Sequence, residues 1–266
     1  MENFLQLTSP DTHSIISIEN GELISYNIHG IEIMHQKGDP GWGKTEIEMF
    51  PIIGPTKESN FKVKTPKGDA FLDQHGLARV MEYNLIFSNT TRAVYSKKYQ
   101  ANTSLINHKF PDKSPQEFLN WPYDFELTKS FELTSSGLKI CFEIKSEKDM
   151  PFMLGFHPAF KIYNKEFIIK TSDTRNGIRE IFEAGASALL LKGSKEVLLE
   201  NNGNVSVLLS TQGFNDIMLW SEVINMVCIE PITFYPYSVP PKKIYKGFDR
   251  SRGIENFQVI ISPKLE

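Results

Sequence analysis

The sequence predicts an all-β fold, built largely of antiparallel strands, that forms a single domain over residues 1–266. Three observations lead to this prediction. Most segments are short apolar or alternating runs bounded by Gly, Pro, Asn, Asp or Ser, as in sandwiches and barrels. No stretch keeps an apolar i, i+3, i+4, i+7 pattern for three helical turns. Many all-β sandwiches of this length form one domain, and the chain shows no repeat or linker.

Predicted strands follow one another along the chain. In order, the clearest are HSIISIE, ELISYNIHGIEIMHQ, FELTKSFEL, LKICFEIK, EFIIKTS, NVSVLLS, DIMLWSE, NMVCIEP and FQVIISP. The pairs Asn20-Gly21 and Ser136-Gly137 separate alternating runs and predict hairpin turns. IREIFEAGASALLL is the best helix candidate, so we expect few, short helices. The polar stretch from Ser104 to Tyr123 contains prolines and predicts a long loop near a binding site.

The composition of the chain indicates its cellular location and the chemical class of its partner. Lys and Arg number 29 against 32 Asp and Glu, without a run of one sign, which does not favour nucleic acid or an anionic membrane. The opening MENFLQLTSP lacks the apolar core of a signal peptide, and no segment approaches the ~18 apolar residues of a membrane span. We therefore expect a cytoplasmic protein with a small, uncharged partner. Cys141 and Cys228 lie in apolar runs, which predicts reduced, buried thiols.

The segment MPFMLGFHPAF predicts a histidine in a pocket wall. Strand alternation from Phe152 puts His157 on the face opposite Phe156. Gly155 shares the face of His157 and would leave room for a ligand ring close to the backbone. The alternative is a histidine that only ends a strand before Pro158.

In NMVCIEP, a carboxylate ends an otherwise apolar strand. Val227 and Ile229 alternate with Cys228 and Glu230, and Pro231 cannot continue the ladder of hydrogen bonds. Partial burial would raise the pKa of Glu230 and make it a better proton acceptor near neutral pH. The alternatives are a structural salt bridge and a solvated strand end.

A second histidine and a guanidinium occur in DQHGLARV. As a strand, this segment would place His75, Leu77 and Arg79 on one face, where a ligand's hydroxyl groups could be bound, and Gly76 would allow close approach. The alternative is a turn histidine beside a surface arginine.

Aromatic residues and one aspartate are further candidates for a cleft. Trp42, Trp121 and Trp220 lie beside Gly or Pro or at a strand end, where an indole could stack on a ligand ring, although most tryptophans belong to cores. Asp216 shares a strand face with Met218 and Trp220, so it is a candidate for the same cleft. The alternative is an edge aspartate.

Several catalytic motifs are absent from the sequence. It contains no GxGxxG after a strand, no GxSxG and no HExxH, so dinucleotide, serine-hydrolase and zincin chemistry lose support. His75, His157 and Glu230 lack a close ligand spacing such as HxH. We therefore expect neither a required metal nor a cofactor.

Taken in order, FPIIGPT, DQHGLARV, WPYDFELTKSFEL, MPFMLGFHPAF and LWSEVINMVCIEP resemble the aldose 1-epimerase (galactose mutarotase-like) family, in its LacX-like branch. The resemblance runs from about Ser14 to the C-terminus, and the ordered pair GFHP and CIEP is its most specific part. It implies a large antiparallel β-sandwich with a sugar cleft on one concave sheet. It also implies interconversion of the α and β anomers of an aldohexose.

The resemblance assigns roles to the candidate residues. It implies that His157 is the general acid, Glu230 the general base and His75 a substrate ligand. Arg79 matches the arginine of the HGxxR motif, as a substrate contact or as a support of the loop. The family's cleft aspartate has no motif match, so Asp216 stays the candidate.

One departure from the family concerns the segment after FPxxG. Many relatives have an arginine there, whereas this chain has Pro55 and Thr56. The departure leaves a different sugar, a compensating residue such as Lys57, or a weakened enzyme as alternatives.

Rival functions remain open at this point. The missing arginine motivates a non-catalytic sugar-binding or regulatory protein on the same fold. A glycoside hydrolase would need two carboxyl groups about 5 to 9.5 Å apart. A hexose 6-phosphate substrate would require Lys57, Arg79 or Lys129 to converge on the phosphate.

Overall fold

Short strands make up most of the computed structural model, which describes residues 4–201 and 205–265. The first residues of MENFLQLTSP and Asn204, at the start of the predicted strand NVSVLLS, lie outside the described residues. The strands of the first half are β1 (Phe4–Thr8), β2 (Ser14–Glu19), β3 (Glu22–Ile28), β4 (Ile31–Glu32), β5 (Glu48–Met49), β6 (Lys62–Thr65), β7 (Gly68–Phe71), β8 (Asn84–Ser88), β9 (Arg92–Tyr99), β10 (Leu105–Ile106), β11 (Phe118–Leu119) and β12 (Phe125–Thr134). Those of the second half are β13 (Gly137–Ser146), β14 (Pro151–Phe152), β15 (Gly155–Phe156), β16 (Ala159–Lys161), β17 (Ile168–Lys170), β18 (Arg175–Asn176), β19 (Leu189–Leu191), β20 (Glu196–Glu200), β21 (Val205–Gln212), β22 (Asp216–Trp220), β23 (Met226–Ile232), β24 (Asp249–Arg250) and β25 (Ile254–Leu265).

Two large sheets form the body of the fold. Within the described ranges, one has nine strands in the order β18-β17-β20-β21-β25-β13-β12-β9-β8. The other has six, in the order β19-β22-β23-β15-β5 with β16 paired to β23. Pairings between these strands are antiparallel. The sheets pack face to face, since the ring of Phe142 on β13 lies 5.1 Å from that of Phe156 on β15. The predicted all-β, antiparallel β-sandwich is therefore confirmed.

Alternation along β12 shows how the sequence builds the core. The segment FELTKSFELT buries every second residue, from Phe125 to Leu133. This period of two is that of a strand with one face on the core. The central inward position is Lys129, whose side chain is 1% exposed. A lysine at such a position requires partners, because an unpaired buried charge is costly.

Two glutamates of the opposite sheet region supply these partners. Lys129 Nζ lies 2.6 Å from Glu46 Oε1 and also contacts Glu48. Lys97 Nζ lies 3.1 Å from Glu48 Oε2 and donates to the carbonyl of Ala78 at 2.7 Å. Burial disfavours the carboxylate of Glu48, but Lys129 and Lys97 outweigh it and lower the pKa of Glu48 to about 2. We call Glu46, Glu48, Lys97 and Lys129 the buried charge cluster.

The predicted hairpins are present, one of them shifted. Asn20 and Gly21 join β2 to β3 with φ of 50° and 77°, the left-handed values that two-residue hairpin turns require. The position predicted for the second turn, Ser136-Gly137, is wrong by one residue. Thr134 and Gly137 already pair across β12 and β13, so the loop is Ser135-Ser136.

Helices are short, as expected. The candidate IREIFEAGASALLL contains helix α1 (Ile178–Ala184), followed by a 3₁₀ turn at Gly185–Ser187. Further 3₁₀ turns occur at Lys57–Ser59, Ala78–Val80, Pro236–Ser238 and Pro241–Gly247. Among the described residues, no helix is long and apolar enough to cross a membrane. Cys141 and Cys228 are free thiols, as predicted, but only Cys228 is fully buried.

Candidate active site

A cleft of about 240 Å³ opens on the outer face of the six-stranded sheet. Alternation along β23 defines this face. Val227 and Ile229 belong to the main core between the sheets, whereas Met226 and Cys228 form a second apolar cluster on the other side. Glu230 continues the second set and lines the cleft. The residues around it that matter for its chemistry are Trp42, His75, His157, Trp220 and Tyr237.

Glu230 lies within β23 rather than at its end. It pairs with Met218 of β22, and the strand continues through Pro231, which pairs with Ile217, to Ile232. The prediction that the strand ends at the carboxylate is therefore wrong, because proline removes one donor and leaves the rest of the pairing in place. Glu230 is 2% exposed, and burial raises its pKa to about 8. The predicted direction of this shift is confirmed.

His157 follows β15 and faces the carboxylate. Its backbone N–H donates to the carbonyl of Ile47 at 2.9 Å, which fixes the chain at this point. The Nε2 atom lies 3.5 Å from Glu230 Oε1. The imidazole is nearly enclosed, with its ring 4.4 Å from that of Trp42 and 5.9 Å from that of Trp220. Burial lowers the pKa of His157 to about 3, which favours a neutral imidazole.

The interpretation of Gly155 as a gap for a ligand is wrong. A Cβ there would lie 2.4 Å from Met49 Cε and within 3.4 Å of Ile232 and Ile53 side-chain atoms. The missing side chain therefore makes room for apolar neighbours under the cleft.

His75 reaches the cleft from a turn. The predicted strand over DQHGLARV is wrong, because His75 and Gly76 both have positive φ, 73° and 67°, and a 3₁₀ turn follows. The absence of a side chain at Gly76 is needed, since a Cβ would lie 2.4 Å from the carbonyl oxygen of Phe50. His75 Nδ1 lies 3.1 Å from the carbonyl of Ile53. A proton on Nδ1 satisfies this bond and leaves Nε2 as an acceptor toward the cleft.

The two histidines are neighbours in the cleft. Their ring centroids lie 5.5 Å apart, with the rings nearly perpendicular. Burial and the neighbouring His157 lower the pKa of His75 well below its ordinary value. His75 is therefore a neutral hydrogen-bonding group.

Arg79 lies behind the cleft. Its Nη1 is 3.4 Å from the carbonyl of Gln74, and its side chain lines a neighbouring cavity together with Lys97 and Lys129 of the buried charge cluster. The hydrogen bond supports the turn that carries His75, and the guanidinium is near enough to both cleft histidines to help lower the pKa of His75 and His157.

Asp216 is likewise outside the cleft. Alternation places it correctly on the face of Met218 and Trp220, but it lies at the far end of β22, opposite Ile232. Its Oδ1 accepts the backbone N–H of Gly193 at 2.8 Å. The predicted cleft aspartate is therefore an edge aspartate that fixes a turn.

The three tryptophans divide between cleft and core. Trp42 and Trp220 line the cleft, whereas Trp121 is completely buried in the core beside Tyr123 and Phe248.

Cationic residues do not converge on the cleft. Neither lysine nor arginine lines it among the described residues, and Glu230 is the single carboxylate there. Lys57 lies in an exposed 3₁₀ turn and Lys129 in the buried charge cluster. A phosphate-binding subsite and a pair of facing carboxylates are therefore both without support in this cleft.

The segment from Ser104 to Tyr123, predicted to be a long loop near a binding site, contains β10 and β11 and does not line the cleft, but it contacts the turn that carries His75. Asn107 Nδ2 donates to Asp73 Oδ2 at 2.9 Å, and Lys109 Nζ lies 3.2 Å from Asp73 Oδ1. Asp73 immediately precedes the turn that carries His75. The loop therefore holds this turn from outside.

Residues 38–45, GDPGWGKT, have the spacing GxxxxGK[ST] of a phosphate-binding loop. That loop needs a helix after it, whereas here the chain enters β5. Lys44 Nζ lies 3.1 Å from Glu22 Oε2, and Thr45 Oγ1 donates to the carbonyl of His35. The segment instead carries Trp42 to the cleft wall.

Comparison with known proteins finds similarity to the aldose 1-epimerase family over part of the chain. Residues 59–176 match the family model described as Aldose 1-epimerase, which confirms the predicted resemblance. This match contains His75, Arg79 and His157 and ends before Glu230. Two proteins of Lactococcus lactis subsp. lactis, Protein LacX, chromosomal, and Protein LacX, plasmid, are each 25% identical over 138 residues. The match covers 49% of this chain and 41% of each LacX protein, less than half of their length.

Solved structures share the fold over nearly the whole chain. A galactose mutarotase-like protein from Lactobacillus casei ATCC 334 has a TM-score of 0.74 at 15% identity and covers 98% of this chain and 100% of its own. A galactose mutarotase related enzyme from Lactobacillus acidophilus has a TM-score of 0.76 at 19% identity, covering 98% and 97%. The chain therefore has the galactose mutarotase-like sandwich fold.

Proposed function

From the match of residues 59–176 to the aldose 1-epimerase family, we propose that this chain is a mutarotase that interconverts the α and β anomers of an uncharged aldohexose. One observation carries the proposal. An imidazole and a carboxyl group face each other across 3.5 Å in a cleft walled by indole rings. Glu230 lies outside the matched segment, so its role rests on this geometry.

Mutarotation needs one acid and one base. Glu230 removes the proton of the anomeric hydroxyl while His157 donates a proton to the ring oxygen, and the C1–O5 bond opens to the free aldehyde. After rotation about C1–C2, Glu230 gives its proton to the carbonyl oxygen, His157 takes back the proton of the C5 hydroxyl, and the ring closes as the other anomer. Positioned acid–base groups typically contribute ~10²–10⁴-fold each, which suffices for a reaction that also proceeds in water.

Glu230 and His157 share one transferable proton. Burial disfavours both charged forms, so the resting state is a carboxyl group on Glu230 and a neutral imidazole on His157. A bound sugar changes this balance. The anomeric hydroxyl donates to the carboxylate and the ring oxygen accepts from the imidazolium, and both hydrogen bonds favour the charged forms. The proton then moves from Glu230 to His157, and the neutral pair returns when the ring opens.

The walls of the cleft favour an uncharged ring. Trp42 and Trp220 present indole faces and edges beside His157. Such surfaces suit the apolar face of a pyranose. The neutral His75 offers a hydrogen-bonding nitrogen for a sugar hydroxyl. Because no lysine or arginine lines the cleft within the described residues, the free hexose fits better than its 6-phosphate.

Anomer exchange measured by polarimetry and NMR tests the proposal. Fresh α-glucose, α-galactose and their 6-phosphates are compared with and without the protein, and we expect acceleration for a free hexose. Pro55 and Thr56 replace the arginine of many relatives, which favours a sugar-binding protein as the second candidate. Thermal stabilisation by the sugar without faster anomer exchange would establish that candidate and reject the mutarotase.

A further inference from the structure

A third chemically active side chain lies beside the acid–base pair. Cys228 is two residues before Glu230 on β23 and points to the same face of the sheet. One ligand atom each from His157, Cys228 and Glu230 lie within 4.8 Å of one another. The thiol is fully buried under Trp42 and Trp220. Mutarotation gives this thiol no task.

The three donors form a set that a thiophilic divalent ion uses. Sulfur, nitrogen and oxygen ligands at about 2.0–2.3 Å from a tetrahedral Zn²⁺ lie roughly 3.3–3.8 Å from one another. His157 Nε2 and Glu230 Oε1 are already 3.5 Å apart. The largest separation in the group has to close by about 1 Å, which side-chain rotation can provide.

Among the described residues, no group outside His157, Cys228 and Glu230 forms a hydrogen bond with a ring nitrogen of His157. Nε2 faces Glu230, and Nδ1 is buried without a hydrogen-bond partner. The imidazole can therefore turn toward an ion without breaking a bond elsewhere. A thiolate, a carboxylate and a neutral imidazole together also balance the two charges of Zn²⁺, which suits an enclosed site.

We propose that His157, Cys228 and Glu230 form a Zn²⁺ site with a fourth position open to the cleft, and that the ion inhibits the enzyme. The inhibitory part rests on the proposed function, since an ion on His157 and Glu230 occupies the acid and the base together. Zn²⁺ binding itself does not rest on the proposed function. On binding, Zn–S, Zn–N and Zn–O bonds form, and the thiol of Cys228 and the carboxyl of Glu230 release their protons to solvent. No electron transfer is involved.

Cobalt absorption tests the binding part directly. Chelator-treated protein is titrated with CoCl₂, whose thiolate charge-transfer band and intense tetrahedral d–d bands report a sulfur ligand and the coordination number. We expect both signals in the native protein and their loss on adding ZnCl₂. In Cys228→Ser the charge-transfer band disappears. Cys141→Ser is the matched control, because Cys141 lies on β13 of the other sheet, and it keeps both signals.

The proposal is overturned if the native protein shows no charge-transfer band, or if the band persists in Cys228→Ser. Cys228→Ala serves where the serine variant does not fold. A measurement on the native chain alone adds a second criterion. Zn²⁺ should slow alkylation of Cys228 at least 10-fold and leave Cys141 unaffected, as followed by mass spectrometry. Equal protection of both thiols, or of neither, would contradict the site.

Inhibition is measured separately from binding. If the chain is a mutarotase, ZnCl₂ should abolish anomer exchange and a chelator should restore it, in the native protein and in Cys141→Ser. A cobalt spectrum without any mutarotase activity would retain the site and reject the proposed function. Activity that is unaffected by Zn²⁺ at saturation of the cobalt-binding site would reject the inhibitory role.

Discussion

His157 Nε2 lies 3.5 Å from Glu230 Oε1, although the two residues belong to different segments of the sheet. Their separation follows from strand pairing, because Gly155 of β15 lies opposite Ile232 of β23. His157 follows Gly155 by two residues and Glu230 precedes Ile232 by two, so the antiparallel pairing brings the two side chains opposite each other. A pair placed by sheet register is more rigid than one placed by loops, which suits proton transfer at fixed positions.

Replacing Glu230 by Gln should abolish anomer exchange, with a loss of at least ~10²-fold, because the amide cannot accept the hydroxyl proton. Polarimetry on fresh α-hexose measures the rate. Asp216→Asn is the matched control, since Asp216 lies outside the cleft and only accepts the N–H of Gly193. Near-native activity of Glu230→Gln, or equal losses in both variants, would remove Glu230 from the mechanism.

His75→Asn should lower kcat/KM by roughly 2- to 12-fold, as expected for losing about 0.5–1.5 kcal/mol of neutral hydrogen bonding to the substrate. Asparagine is chosen because it tolerates the positive φ of 73° at this position better than alanine. Urea denaturation should therefore show His75→Ala to be the less stable variant. An unchanged kcat/KM in a folded His75→Asn would exclude a substrate contact.

Trp42→Ala should weaken sugar binding about 2- to 12-fold, since stacking contacts contribute about 0.5–1.5 kcal/mol. Trp42→Phe keeps a ring over His157 and should lose less. Trp121→Phe provides the contrast, because Trp121 is buried in the core. Its melting temperature should fall while its KM stays constant, and the opposite pattern would show that the assignment of cleft and core is reversed.

Lys129→Met should destabilise the fold by about 3–5 kcal/mol at neutral pH, because it leaves Glu46 and Glu48 buried without their shared cation. Lys145→Met is the matched control, because Lys145 forms an exposed ion pair with Glu143, and it should leave the free energy of unfolding nearly unchanged. Urea denaturation gives both values.

The pH dependence of these variants has a definite sign. In the native protein the pKa of Glu48 is about 2, below its unfolded value of roughly 4.3. Its stabilisation is therefore complete above pH ~4.3 and is lost as the pH falls toward 2. In the native protein burial outweighs Lys129 and raises the pKa of Glu46 to about 7. Without Lys129 this pKa rises further, so protonation of Glu46 relieves more of the penalty in the variant than in the native protein. The difference between Lys129→Met and native protein should shrink from pH 7 to pH 4.5, and a widening difference would contradict this account.

Strand positions could be predicted from the sequence because alternation is local. FELTKSFELT and the Asn20-Gly21 turn show the pattern that the structure confirms. Pro231 misled the prediction of where β23 ends, since a single missing donor does not stop a strand held by neighbours on both sides. In DQHGLARV, alternating side chains suggested a strand. The positive φ at His75 depends on the approach of Phe50, which is distant in sequence.

Part of the cleft lining could be predicted from the sequence, namely His75, His157, Glu230, Trp42 and Trp220. The strand face predicted for each residue, together with the family resemblance, indicated His157, Glu230 and His75. Alternation gave the correct face for Asp216 but not its distance from the cleft along β22. Tyr237 and the segment 186–188, which also line the cleft, come from turns with no sequence signal for their position. Lys129 shows an inward charge in β12, but its pairing with Glu46 and Glu48 depends on how the sheets stack.

The buried charge cluster also limits which substitutions can be tolerated at its four positions during evolution. Any single replacement among Glu46, Glu48, Lys97 and Lys129 strands an opposite charge in the core, whereas exchanging the whole set for apolar residues of similar volume is tolerated in other proteins. These positions should therefore covary among natural homologues, inherited together or lost together. An alignment of close homologues in which they change independently would mean that water reaches the cluster more freely than its burial indicates.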